Sequence, residues 1–187
     1  MKKIALILCG AFIYLASYGQ AVNDKAVIPV SVNLNQILRL NIVSGGNIEF
    51  TFNTITDYTG GLTGTQYQTT FNVTSSVIYD VNFYSESANM QGNDDAANTI
   101  ASGFVALSVT DNAGGATVDA TWQLLDDIVG IGNQATLIDA SPAGAATAAA
   151  NQWVVSWECA TANTDGSLLG QPADRYSVNT FIVVSGN

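Results

Sequence analysis

Carboxylates are the residues of this chain best equipped for chemistry: fifteen Asp and Glu stand against five Lys and Arg, with no histidine among 187 residues. Asp94/Asp95 and Asp126/Asp127 are adjacent pairs, and paired carboxylates hydrolyse glycosides. Neighbours on an extended chain point apart, so both pairs read as turn acids. The loops Asp111-Asn112 and Asn163-Thr164-Asp165-Gly166 offer the oxygen ligands a structural calcium takes, although neither completes an EF-hand loop. The lack of histidine removes the Ser-His-Asp triad, the Cys-His pair, histidine-bearing zinc sites and the usual neutral-pH proton shuttle. The expectation is therefore a non-enzyme with no catalytic residue and no cofactor, structural calcium being the one exception held open.

Binding chemistry has one further candidate. Trp153, Val155, Trp157 and Cys159 fall on one face of an alternating run. Trp153 and Trp157 there form either an aromatic platform for sugar rings or ordinary core packing, and packing is the preferred reading. On the packing reading Cys159 is a buried, inert thiol. Asn72-Val73-Thr74 fits the N-glycosylation pattern, a lone match that is weak evidence by itself; a glycan is held open as a partner.

The N-terminus sets the compartment. Lys2 and Lys3 precede the apolar stretches Ile4–Leu8 and Ala11–Leu15, and the small residues Ala16, Ser17 and Gly19 follow. This pattern predicts a secretory signal peptide over 1–19, too short and broken for a span of about 20 apolar residues. Lipidation at Cys9 is disfavoured by the bulky Leu8 before it. Removing 1–19 leaves three basic residues against fifteen acids, a net charge of −12. Nucleic acid and anionic membrane surfaces are then poor partners, and no membrane insertion is expected after leader removal. Only Cys159 remains, which excludes an intrachain disulfide, so burial and strand pairing must hold the fold.

The dominant hydrophobic period is two, which predicts strands. Candidate runs lie at 30–42, around Ile48, Phe50 and Phe52, at 66–73, 77–83, 104–110, 118–125, 152–159 and 176–185. Residues 140–150 read as a short helix or a low-complexity loop. About eight strands punctuated by Gly, Asn and Asp predict an all-β, antiparallel, immunoglobulin-like or jelly-roll-like sandwich over 35–187.

The segment 20–34 carries the main functional expectation. From Val22 to Ile42 the even positions are apolar with few interruptions, and fully extended they would span about 70 Å at roughly 3.3 Å per residue. A typical strand covers about 20 Å. Either the run breaks near Pro29 or Asn35-Gln36, or its first part leaves the domain and pairs with another sheet. The second reading makes Ile28, Val30, Val32 and Leu34 a donor strand; the first makes residues 26–34 the first strand of their own sandwich. The acceptor would lie near the last strand, at Val178, Ile182 and Val184. Phe181 and Val183 face the other way there, which predicts a central or subunit-covered strand.

Pro172-Ala173-Asp174-Arg175-Tyr176 leads into the apolar run Ser177–Val184. Together with the leader, Val30-Ser31-Val32 and the acidic, histidine-free composition, this resembles bacterial secreted pilin-like β-sandwich subunits of the fimbria type, of Bacteroidota-like source. The paired cysteines of a chaperone–usher pilin are missing. The resemblance implies a structural subunit of an extracellular filament or cell-surface layer, a homopolymer of identical copies joined by β-strand complementation. The alternative is a secreted carbohydrate-binding or adhesive module.

Overall fold

The computed structural model describes residues 28–110, 116–145, 147–148 and 151–187. The expected leader, residues 20–27 and the Asp111-Asn112 pair lie outside these residues. The chain divides into two units, 1–34 and 35–187. Of the first unit only 28–34 are described, and they carry no strand.

The second unit is all-β. Its strands are β1 (Leu38–Ser44), β2 (Gln68–Ser75), β3 (Tyr79–Ser85), β4 (Asn89–Gly92), β5 (Thr99–Ala101), β6 (Val105–Thr110), β7 (Thr117–Val118), β8 (Gln123–Leu124), β9 (Ala135–Ser141), β10 (Gln152–Cys159), β11 (Tyr176–Ser177) and β12 (Thr180–Gly186). One short helix, α1 (Ile55–Gly60), starts at a capping box in which Thr54 and Asp57 satisfy each other's backbone N–H groups.

A five-stranded sheet in the order β1-β2-β10-β6-β8 packs on a four-stranded sheet in the order β12-β3-β9-β7, and a small third sheet orders β11-β4-β5. Every ladder between named strands is antiparallel. Alternation explains the layering: Thr69, Phe71, Val73 and Ser75 of β2 are buried, as are Trp153, Val155, Trp157 and Cys159 of β10 and Tyr79, Val81, Phe83 and Ser85 of β3. Phe71 and Phe83 meet edge to face across the interior, ring centroids 6.1 Å apart. Burying each such side chain contributes about 1.5–3 kcal/mol.

The architecture departs from expectation in two places and decides between open alternatives in two more. Twelve strands replace about eight among the described residues, because β4, β5, β7, β8 and β11 span only two to four residues and give too few alternations to be legible. The run at Ile48, Phe50 and Phe52 forms no strand; Phe50 packs on Tyr67 at 4.5 Å and Phe52 on Tyr58 at 5.1 Å. The first strand begins at Leu38, just past the Asn35-Gln36 step expected as a break, so residues 28–34 are not the first strand of their own sandwich. Of the two readings of 140–150, short helix or loop, the described part shows no helix: Ala140 and Ser141 end β9 and Gly144 bridges to Ser75.

Candidate functional site

β12 is the edge of the four-stranded sheet, so of the two positions expected for it, central or subunit-covered, the central one is corrected; β1 is the corresponding edge of the facing sheet. The two edges lie close together on one flank of the sandwich. Across β12–β3, Ile182 is opposite Phe83 and Val184 opposite Val81, so both side chains turn inward. Across β1–β2, Leu38, Leu40 and Ile42 are opposite Ser75, Val73 and Phe71 and also turn inward. Yet Ile182, Val184, Leu38 and Leu40 are only partly buried, and Ile42 is 41% exposed. Among the described residues the interior is only partly covered along this flank.

The backbone of the flank follows from the ladder. Glu86 N–H donates to the Asn179 carbonyl and Asn187 N–H to the Ile78 carbonyl, which makes the odd positions of β12 its bonded pairs with β3. In an antiparallel ladder the alternate residues point away. The N–H and C=O groups of Thr180, Ile182, Val184 and Gly186 therefore face outward from the sheet edge. Edge strands are ordinarily blunted by charge, bulge or cover. β1 carries Arg39 and a register break between Ile42 and Ser44, whereas β12 is Thr-Phe-Ile-Val-Val-Ser-Gly, without a charge.

At one end the flank is closed. Ile37 accepts from Ser76 N–H at 2.9 Å and donates to Ser76 Oγ at 2.8 Å. The Gln36 amide sits where a Cβ on Gly186 would have to be, with Val77 beside it. At the other end Val178 packs against the core and lines a shallow depression of about 460 Å³ with Glu86, Asn89, Gln91 and Thr99. On the outer face Phe181 stacks on Tyr84, centroids 4.7 Å apart and planes 17° apart. In the first unit, Ile28, Val30, Val32 and Leu34 are exposed by 81, 85, 79 and 88%.

The aromatic-platform reading of Trp153 and Trp157 does not fit their positions. Both rings lie in the core, 0 and 7% exposed, with Trp153 Nε1 donating to Tyr79 Oη at 3.3 Å and Trp157 Nε1 to Thr69 Oγ1 at 2.9 Å. Cys159 is buried with them, its thiol pushed up to about 12 by burial, so it holds no thiolate at neutral pH. Asn72 of the glycosylation pattern is paired on both sides in β2, with its side-chain oxygen enclosed. Glycosylation needs a surface loop.

The acids have other partners than their sequence neighbours. Asp126 meets Asp165 over Gly103, where a Cβ would collide with both carboxylates. Burial and then the Asp165 charge push the Asp126 carboxyl up. Glu158 accepts from Thr63, Thr161 and Asn163 at 2.7–2.9 Å; burial raises its carboxyl, and these bonds outweigh that and leave it below its usual range. Asp174 accepts from Asn98 Nδ2 and from the N–H groups of Asn93, Asp94, Asp95 and Arg175, tying β11 to the β4–β5 turn. The Asn98 bond, then the Asp94 N–H, hold it far below the usual range. The sequence reading missed this cradle, because four of its five partners lie 76–81 positions upstream. Among the described residues no three His, Cys, Asp or Glu side chains converge as a metal site.

No protein-family model matches the chain, and no curated protein matches it.

Proposed function

We propose that this protein is a structural subunit of an extracellular filament or cell-surface layer, a homopolymer in which residues 28–34 of one copy cover the β12 flank of the next. The observation that carries the reading is a complementarity. An unguarded edge leaves the core-facing Ile182 and Val184 half-covered, while an alternating apolar row of the same chain is exposed by 79–88%. Exposed apolar edges and rows are costly in water, and β-strand addition relieves both at once. Val178 extends the same phase beyond the start of β12. The enclosed indoles of Trp153 and Trp157 speak against a carbohydrate-binding module built on those rings. The fimbria-type reading also draws on the expected leader and the acidic composition.

Electron microscopy of the intact protein and of a variant lacking residues 20–34 tests this reading. Fibres or sheets from the intact chain, and discrete monomers from the deletion, are expected. Monomers from both, or unchanged fibres from the deletion, would refute it.

A further inference from the structure

We propose that the apolar segment 28–34 acts only in trans: the fold prevents it from covering the β12 edge of its own chain. This rests on the donor-strand reading above and adds that the chain's own segment is barred from its own edge.

Two orientations along β12 exist, and the geometry of residues 35–38 opposes both within one chain. In the antiparallel orientation Leu34 would lie at the Thr180 end of β12. Gln36 is held at the Gly186 end, and seven residues of β12 span about 20 Å. Two Cα steps from Leu34 to Gln36 reach about 7 Å. The tether is too short by more than half.

In the parallel orientation Leu34 would lie at the Gly186 end, which is within reach, but the chain would have to reverse inside Asn35-Gln36. Ile37 is already committed to Ser76 by two hydrogen bonds in line with β1, so the reversal has only two residues. Two-residue hairpin loops require positive φ, as in Asn-Gly or Gly-Gly. Among the described non-glycine residues only Ala140 and Ala160 have positive φ, and Gln at the second loop position opposes it. Such a hairpin would also place the segment against β1, where Arg39 and the register break blunt pairing.

A second copy meets neither obstacle. Its segment approaches β12 from outside in the antiparallel sense, the more stable ladder, with Val30 and Val32 beside Val184 and Ile182. The donor and acceptor surfaces are different patches of one chain, so the contact is heterologous, and where successive copies do not turn back on one another it extends into an open filament.

The test is the identity of a cross-link. The full chain carrying Cys9→Ser, Val32→Cys and Ile182→Cys is treated at micromolar concentration with a short bis-maleimide that spans one step of register. Cys159 is buried and does not compete. A segment able to reach its own β12 would sit at an effective concentration on the order of 1 mM, so intrachain product would outweigh interchain product by roughly 1000-fold. The expected result is a ladder of covalent oligomers with little intrachain product. A monomer carrying the intrachain link would overturn the trans assignment while leaving strand addition standing. The absence of any link between the two positions would refute strand addition itself. Val30→Cys with Val184→Cys serves as the second pair should Ile182→Cys fold poorly. Gln36→Gly, which supplies an Asn-Gly loop, is expected to divert product into the intrachain form; an unchanged ladder would overturn the role given to residues 35–37.

Discussion

Ile182 lies directly across the ladder from Phe83, and both side chains point into the sandwich, yet Phe83 is 1% exposed and Ile182 remains half-buried. The difference is positional: β3 has a strand on each side and β12 has one. Placing a charge at Ile182 should therefore act on assembly more than on folding. Ile182→Lys is expected to abolish fibres by electron microscopy while far-UV circular dichroism keeps the β signature. Loss of folded monomer, rather than of fibres alone, would place Ile182 in the core proper.

The donor row predicts a cleaner separation. Val30 and Val32 are 85 and 79% exposed, and surface substitutions usually fall within about 0.5 kcal/mol of neutral. Val30→Asp with Val32→Asp should leave the urea midpoint of the monomer unchanged and remove polymer from the pelleted fraction. Equal polymer in wild type and variant would exclude these side chains from the contact.

Trp153 predicts the opposite pattern. Its ring is fully enclosed and bonded to Tyr79, so Trp153→Ala should cost about 3–5 kcal/mol of stability, measured by denaturant unfolding. A change much below that range would place the ring outside the packed interior.

Two carboxylates give pH effects of opposite sign. Asp174 has its folded value below the ordinary 3.8, chiefly through the Asn98 bond and then the Asp94 N–H. Its contribution is present above the ordinary value and is lost as pH falls through the depressed one. Asp174→Asn should lower the melting temperature at pH 7, with the deficit closing only well below pH 4. Asp126 has its folded value raised, by burial and then by Asp165. Its charged form opposes folding above that raised value, and the penalty disappears as pH falls toward the ordinary carboxylate range. Asp126→Asn should raise the melting temperature at pH 7 and have little effect near pH 4. Melting curves over pH 3–8 check both signs, and a common direction for the two variants would contradict the geometry.

The long strands were legible because alternation over seven or eight residues leaves one phase possible. Residues 152–159 read as β10 with Trp153, Val155, Trp157 and Cys159 facing in, and they do. The same rule misled at Ile48, Phe50 and Phe52, where half-buried alternation arises from local aromatic contacts with Tyr67 and Tyr58 instead of a ladder. Apolarity on both faces of β12 suggested a central or subunit-covered strand; the strand is an edge, and its outer residue Phe181 is partly sheltered by stacking on Tyr84, a cross-strand pairing invisible in a single run. Local patterning likewise left the partners of Asp126 and Asp174 out of reach, since those contacts depend on which loops the topology brings together. Of the flank, Ile182 and Val184 were visible as a phase; the opposing Leu38 and Leu40 and the clamp at Gln36, Ile37 and Ser76 required the sheet order.

The outward N–H groups of Ile182 and Val184 provide the most direct test of strand addition. Residue-resolved hydrogen exchange compares assembled protein with the variant lacking 20–34. The account predicts that these two amides exchange rapidly in the deletion variant and become strongly protected in the assembled protein, while the Val183 amide, already bonded to β3, is protected in both. Equal, rapid exchange of Ile182 and Val184 in the assembled state would contradict it.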